Sequence, residues 1–243
     1  MEIDLPRGVR ARLDPAERYG LRLTLVGLAI VLVAVPFSTL TFQVLDQGGL
    51  TRADGRLANS LNRWVHGRPG VVPMLDAVSF LGKLPVLFVV VAVASLWLWR
   101  PSRKRAVIFL AVTSLGGGIV DSLVKAAVDR PRPVVDHPVA TALGKSFPSG
   151  HAMSSTVTYG ALLVAVWPLL RPGLRRLAVV FTVMLVLAVG TSRLFLGVHF
   201  VTDVVGGYVL GLAWLAGATA VFAVWREEVV VAEVVTGVYD PEA

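Results

Sequence analysis

Long apolar segments alternate with short polar or basic segments along most of the chain. Six apolar segments predict membrane-spanning helices, at about 21–44, 83–99, 105–127, 151–169, 175–195 and 200–224. Most of them approach or exceed the roughly 18 to 20 residues that cross a bilayer as a helix. The second is the shortest, and Pro85 suits the first turn of its helix. The pattern therefore predicts an all-α polytopic membrane protein, a bundle of six transmembrane helices.

Composition agrees with this class and excludes others. Of the 243 residues, 55% are hydrophobic and only 16% are charged, and the mean hydropathy is +0.72, far from a typical soluble domain. The segment from Leu21 to Leu45 is too long for the apolar region of a signal peptide, so we interpret it as a retained helix, in which Pro36 can introduce a bend. The absence of cysteine excludes disulfides, thiolate metal sites and a cysteine nucleophile.

The basic residues predict how the chain is oriented. Their excess gives a net charge of +7, but they lie in short loops between apolar segments, which favours topogenic and headgroup contacts over nucleic-acid binding. The side holding both termini and the loops near 100–105 and 171–176 carries 13 of the 23 basic residues. The positive-inside rule makes that side cytoplasmic. We therefore expect an integral protein of the bacterial cytoplasmic membrane, with its polar motifs on the outer face.

This orientation divides the chain into four parts. Residues 1–20 form a cytoplasmic segment, 21–104 the first two helices with an outer loop, 105–224 the core that carries the motifs, and 225–243 a cytoplasmic tail. In the outer loop, 46–82, four apolar residues recur at helical spacing: Leu57, Leu61, Trp64 and Val65. They predict an amphipathic helix that either lies in the headgroup zone or packs on the protein. Met74, Leu75, Val78 and Leu81 predict a second short helix.

Three polar motifs lie at the ends of the apolar segments, where charged side chains usually mark a working site. The first pairs Lys125, at the end of the third segment, with Arg132, which stands between Pro131 and Pro133. The prolines stop the helix and stiffen the backbone around Arg132. A guanidinium held in this way can bind two phosphate oxygens, while the ammonium of Lys125 supplies a compact charge at a third.

The second motif is Pro148-Ser149-Gly150-His151, just before the fourth segment. Ser149 is a suitable N-cap, and the free backbone N–H groups of a helix start form an anion site. Gly150 lets the backbone approach a phosphate closely. His151 in the first turn would then stand beside the bound anion.

The third motif contains Ser192-Arg193, followed by His199 and Asp203. The two last residues are four apart, hence on one face of a helix, although this spacing does not ensure a direct bond between them. If Asp203 accepts a bond from one ring nitrogen of His199, the other nitrogen is free to attack. Arg193 can complete a cationic cage. The motifs contain no second carboxylate and no acidic cluster that would hold a metal.

In order and spacing, Lys-x6-Arg-Pro, Pro-Ser-Gly-His and Ser-Arg-x5-His-x3-Asp resemble the motifs of the type 2 phosphatidic acid phosphatase superfamily. The resemblance covers about residues 105 to 220, fills every motif position, and extends to the six spans of the membrane lipid phosphatases. The superfamily also contains vanadium haloperoxidases, which are disfavoured because they are soluble. His66 and His137 fall outside the motifs and are expected to be loop residues.

The resemblance implies that His199 attacks phosphorus and is transiently phosphorylated, and that His151 protonates the leaving oxygen. It also implies that Lys125, Arg132, Ser149, Gly150 and Arg193 hold the phosphate oxygens. Fixed cations can stabilise phosphoryl transfer in place of Mg²⁺, so neither a metal nor another cofactor is expected.

The substrate remains open among phosphatidate, phosphatidylglycerophosphate and a polyprenyl diphosphate, the last being favoured by an outward-facing bacterial site. A phosphotransferase with a lipid or sugar acceptor would use the same motifs. A non-enzymatic channel or scaffold would more typically spread polar residues through several spans. The Gly207-x-x-x-Gly211 pattern permits close helix packing, within one bundle or between subunits, so the oligomeric state is open.

Overall fold

The computed structural model describes residues 35–46, 49–100 and 103–235, which form helices and connecting loops without a strand. The helices are α1 (Val35–Leu45), α2 (Gly49–His66), α3 (Val72–Phe80), α4 (Leu84–Leu98), α5 (Lys104–Val128), α6 (Gly150–Val166), α7 (Pro172–Phe195) and α8 (Val201–Val235). Short 3₁₀ turns at Pro69–Val71 and Trp167–Leu169 precede α3 and follow α6. The all-α prediction is confirmed for this part of the chain.

Four of these helices are long and apolar enough to span a membrane: α5, α7, α6 with its 3₁₀ extension, and α8 as far as Ala223. Helices α3 and α4 together satisfy the same criterion but are bent by 44° at the break between them. Most of the first predicted span, 21–44, lies outside the described residues. The structure therefore supports four or five spans, and the count of six stays a prediction.

Helix bounds follow the sequence pattern closely, except at the end of the last helix. Pro85 lies in the first turn of α4, as expected. The third predicted helix ends at Val128, before the prolines, because Asp129 adopts a left-handed conformation with φ 53° and its N–H caps the carbonyl of Lys125. The last helix extends to Val235, past its predicted end at residue 224.

Helix α6 lies at the centre of the bundle and packs against α5, α7 and α8. The Gly207 and Gly211 pair allows α8 to approach it: a Cβ at Gly207 would lie 2.7 Å from the carbonyl oxygen of Ser149, and one at Gly211 would lie 3.1 Å from that of Met153. These glycines therefore serve packing within one bundle, and they place the start of α8 beside the start of α6.

Helix α2 packs on the bundle through Val65 and through residues outside the apolar set that predicted the helix. Its buried residues are Asp54, Ala58, Asn62 and Val65, whereas Leu57 and Trp64 are exposed. The side-chain amide of Asn62 donates to the carbonyl of His137 at 2.8 Å and accepts from its backbone N–H at 3.0 Å. The buried stripe thus includes two polar residues that hold the 129–149 loop.

Candidate active site

One polar cavity of about 400 Å³ lies where the ends of α5 and α7 meet the starts of α6 and α8. Six of the eight predicted site residues line it, namely Lys125, Arg132, Gly150, His151, Arg193 and His199. Ser149 and Asp203 are buried directly behind its wall. The structure therefore brings the three sequence motifs together at one end of the bundle.

His199 is the side chain best placed to act on a group in the cavity. Its Nδ1 lies 3.4 Å from Oδ2 of Asp203, so the Nε2 atom is directed away from the carboxylate. Ser146 also donates a short hydrogen bond to the same carboxylate oxygen, and the backbone N–H of Phe200 donates another at 2.8 Å. Asp203 is thus fixed by several donors and can hold a proton on Nδ1.

A tight turn between α7 and α8 sets the position of His199. Gly197 has φ 71°, a left-handed conformation that favours glycine. The N–H of Gly197 bonds the carbonyl of Leu194, and that of Val198 bonds the carbonyl of Arg193. The turn therefore follows the end of α7 at Phe195 and brings His199 to the cavity.

Burial controls the protonation of His199. Removal from water lowers its pKa to about 4, and the nearby charges of Arg132 and Arg193 act in the same direction, whereas the hydrogen bond and charge of Asp203 oppose them. The imidazole is consequently neutral at neutral pH, and Nε2 keeps the lone pair that a nucleophile requires.

Arg130 is a central part of the site that the sequence analysis missed. Its Nη1 bonds Oδ1 of Asp203 at 2.5 Å and the hydroxyl of Thr202 at 2.7 Å. Its Nη2 bonds Asp54 of α2 at 3.1 Å, and its guanidinium lies 4.0 Å from the ring centroid of Phe200. Because Arg130 precedes Pro131 directly, it could have been recognised only as a second arginine beside the motif.

The start of α6 is open for an anion. Ser149 occupies the N-cap position, yet its side chain makes no capping bond, so the expected side-chain cap is absent. Its hydroxyl is buried without a hydrogen-bond partner among the described residues, while its N–H bonds the carbonyl of Asp203 at 2.9 Å. The hydroxyl and the first N–H groups of α6 are therefore available to phosphate oxygens.

The sequence motif gives Lys125 no partner, but the structure pairs it with a carboxylate. Its Nζ lies 2.5 and 2.7 Å from the two carboxylate oxygens of Asp121. Asp121 and Asp76 also line the cavity, so the cavity contains carboxylates that lie outside the three motifs. A Cβ at position 150 would lie 3.0 Å from Nζ of Lys125, which gives Gly150 a second role in admitting this ion pair.

Arg132 is held by the protein itself. It bonds the carbonyls of Gly144, Leu143 and Val198 at 2.8 to 3.0 Å, and its Nη1 lies 3.1 Å from Nε2 of His199. Burial lowers its pKa, but a guanidinium remains charged at physiological pH. The group thus marks the place where negative charge next to Nε2 would be stabilised.

Arg193 and His151 complete the wall opposite Arg132. Nη1 of Arg193 bonds the hydroxyl of Ser79 at 2.6 Å. Nε of Arg193 and Nε2 of His151 are buried without hydrogen-bond partners within the described ranges. A Cβ at Gly82 would lie 3.0 Å from the ring of His151 and 2.4 Å from Val189, so the α3–α4 turn packs closely on this histidine.

The remaining observations concern the two histidines outside the motifs and the arrangement of side chains that could hold a metal. His66 and His137 stack at 4.1 Å between ring centroids, outside the cavity lining. Within the described ranges, no group of three or more His, Asp or Glu side chains is arranged to hold a metal ion.

Fold and site together define a helical membrane protein with a polar cavity lined by cationic side chains and two histidines. The sequence profile of the PAP2 superfamily matches residues 105–227. The chain belongs to this superfamily.

Several known lipid phosphatases are similar to the chain in sequence. The chain is 33% identical over 152 residues to phosphatidylglycerophosphatase B of Bacillus subtilis, covering 61% of this chain and 71% of that protein. It is 28% identical over 164 residues to an undecaprenyl-diphosphatase of Bacillus subtilis (61% and 75% covered). It is 34% identical over 146 residues to a decaprenylphosphoryl-5-phosphoribose phosphatase of Mycolicibacterium smegmatis (58% and 73% covered).

The crystal structure of a transmembrane PAP2 type phosphatidylglycerolphosphate phosphatase from Bacillus subtilis superimposes with a TM-score of 0.70 at 22% identity, covering 78% of this chain and 93% of that one. At this identity the likeness shows the shared fold. With the family and its relatives, it supports the predicted enzyme class, a metal-independent phosphatase of the PAP2 type in a membrane.

Proposed function

We propose that this protein removes the terminal phosphate from a lipid phosphate or diphosphate through a phosphohistidine intermediate on His199. The observation that carries the proposal is the orientation of His199. Nδ1 faces the fixed carboxylate of Asp203, while Nε2 borders a cavity lined with cations. That arrangement favours in-line attack on phosphorus, because phosphoryl transfer depends mainly on positioning and electrostatic stabilisation.

In the first step, the lone pair of Nε2 attacks phosphorus and the bond from phosphorus to the lipid oxygen breaks. His151, in its protonated form, donates a proton to the departing oxygen. In the second step, His151 accepts a proton from water as that water attacks the phosphohistidine. Inorganic phosphate leaves, and both histidines return to their starting forms.

The surrounding groups stabilise the charge that develops on the phosphate. Lys125, Arg132 and Arg193 supply three cations, and Ser149 with the N–H groups at Gly150 supplies neutral donors. The partnerless Nε of Arg193 and hydroxyl of Ser149 support this assignment, since both are buried donors that a phosphate oxygen would satisfy.

A second cavity supports a lipid as substrate. It measures about 610 Å³, is lined mostly by apolar side chains of α4 and α5, and shares Leu84 and Ser154 with the phosphate cavity. A hydrocarbon tail could therefore lie between these helices while its phosphate reaches His199. The relatives, which are named for lipid phosphates of three kinds, agree with this substrate class.

We further propose six spans and an active site on the outer face of a bacterial cytoplasmic membrane. The cavity lies at the end of the bundle opposite the basic loops near 100–105 and 171–176, which agrees with the positive-inside orientation. Exposed Leu57 and Trp64 on α2, next to Arg56 and Arg63, support contact of that helix with lipid headgroups.

The direct test is phosphate release by purified protein in detergent. A panel of phosphatidate, phosphatidylglycerophosphate and a polyprenyl diphosphate is supplied in EDTA, with and without an alcohol acceptor. We expect release without added metal, and vanadate should inhibit it by resembling five-coordinate phosphorus. Activity that EDTA abolishes and Mg²⁺ restores would contradict the mechanism, and product formed only with the acceptor would indicate a phosphotransferase.

A further inference from the structure

The hydroxyl groups in the first turns of α6 divide according to the face they occupy. Ser155 and Thr156 bond the carbonyl of Ala152 in their own helix, at 3.2 and 2.7 Å. Ser154 and Thr158 line the apolar cavity and are buried, and no hydrogen bond joins either hydroxyl to the described residues. The unbonded hydroxyls are thus the ones that face the cavity.

Ser114 of α5 repeats this arrangement on the opposite wall. The residue lines the same cavity, and its hydroxyl is buried without a partner in the described part of the chain, whereas Ser122 of the same helix bonds the carbonyl of Gly118 at 2.9 Å. Serine and threonine in helices commonly bond a carbonyl of the preceding turn. A hydroxyl that faces hydrocarbon without such a bond requires an acceptor from elsewhere.

The depth of these hydroxyls indicates which part of a ligand would meet them. Ser154 and Thr158 follow Gly150 by four and eight residues, which is roughly 6 and 12 Å along the helix axis. Ser154 borders both cavities. The hydroxyls therefore lie beyond the phosphate, where the substrate passes from its polar head to its hydrocarbon tail.

We propose that this groove binds the ester-linked region of a glycerolipid phosphate, with the hydroxyls of Ser154, Thr158 and Ser114 donating to ester carbonyl oxygens. The inference rests on the proposed function and selects among its substrates. A diacylglycerol backbone carries two carbonyl acceptors next to its tails. A polyprenyl chain is hydrocarbon from its first carbon and would leave the deeper hydroxyls unsatisfied.

The test compares a diacyl phosphatidate with its dialkyl ether analogue of the same chain length, which lacks the carbonyls. The variants are Thr158→Val and Ser114→Ala, with Thr156→Val as the matched control because its hydroxyl is bonded within α6. We expect kcat/KM of the wild type to favour the diester. Each test variant should lower kcat/KM about three- to tenfold for the diester only. The control variant should have the wild-type kcat/KM for both lipids.

Equal rates of the wild type on diester and diether, or equal losses on both lipids in the variants, would overturn the inference while leaving lipid phosphatase activity established. Absence of phosphate release from every lipid would contradict the proposed function as well. Binding of diester and diether phosphatidates to a His199→Ala protein gives a second readout without turnover. A preference for the diester that Thr158→Val removes is the expected result, and equal affinities would overturn the inference.

Discussion

Arg130 donates a 2.5 Å hydrogen bond to Asp203, and both side chains are buried. The same guanidinium bonds Asp54 at 3.1 Å, and Asp54 also accepts a hydrogen bond from the hydroxyl of Thr202. One arginine therefore joins helix α2 to the carboxylate that orients His199. The position of His199 depends in this way on a helix more than a hundred residues away in sequence.

We predict that Arg130→Ala destabilises the protein by about 3–5 kcal/mol, because removal of one partner leaves buried carboxylates without their countercharge. Arg130→Lys keeps the charge but cannot bond both carboxylates in the same geometry. It should fold and lose kcat with little change in KM. The measurements are thermal unfolding in detergent and steady-state phosphate release.

Arg63→Ala provides the control, since its ion pair with Asp136 is exposed and should contribute about 0–1 kcal/mol. The double variant Asp54→Asn with Arg130→Lys should lose less stability than the sum of the losses in the two single variants, because both residues act through one network. Additive losses would show that Asp54 and Arg130 do not act together, and wild-type kcat in Arg130→Lys would show that Arg130 does not position Asp203.

Asp121→Asn should strengthen inhibition by vanadate and by inorganic phosphate. The carboxylate of Asp121 both pairs with Lys125 and lines the cavity, so it repels an incoming anion. Its neutralisation should lower the inhibition constants by about tenfold, given the size of charge interactions at this range. Weaker inhibition would instead mean that Asp121 is needed to hold Lys125 in place; Asp136→Asn, far more exposed, is the control.

The sequence predicted the helices and motifs well because each depends on local signals. Apolar length identifies a membrane helix, Pro131 and Pro133 mark the end of one helix, and Ser149-Gly150 mark the start of the next. The partners of the motif residues could not be predicted in the same way. Asp54 meets Arg130 across 76 residues, and no periodicity in α2 distinguishes its buried Asp54 from a solvated aspartate.

Asp121 shows a different limit. Its spacing of four from Lys125 is a familiar helical ion pair, so the signal was present in the sequence. The motif predicts Lys125 as a phosphate ligand, whereas the structure pairs its ammonium with the carboxylate of Asp121. The side chain of Ser149 shows the same kind of limit. The residue type correctly predicts that Ser149 is the N-cap, but it does not predict that the hydroxyl makes no capping bond.

The pH profile should show that His199 acts in its neutral form. Because burial lowers its pKa to about 4, the attacking nitrogen is free above that value and protonated below it. We expect kcat/KM to decrease as the pH drops below about 5, because His199 becomes protonated. This decrease is separate from the one caused by the second ionisation of the substrate phosphate near pH 6. Asp203→Asn removes the group that raises the pKa of His199, so its residual activity should show an acid limb at still lower pH.

Membrane orientation can be measured with single cysteines, since the chain has none. Val134 is 94% exposed in the loop beside the cavity, and Gly173 lies in the first turn of α7, at the basic end of the bundle, with open space around it. An impermeant thiol reagent on intact cells should label Val134→Cys and should reach Gly173→Cys only after the membrane is opened. The reverse pattern would place the site on the inner face.

The account depends above all on covalent catalysis by His199. The measurement is rapid quenching of the purified protein with a lipid labelled in its terminal phosphate, followed by identification of the labelled peptide. We predict an acid-labile, base-stable phosphate on His199 that forms and decays at rates consistent with kcat. The label should be absent in His199→Ala, with a loss of rate on the order of 5 kcal/mol or more. Normal turnover by folded His199→Ala protein, or a label on another residue, would contradict the mechanism.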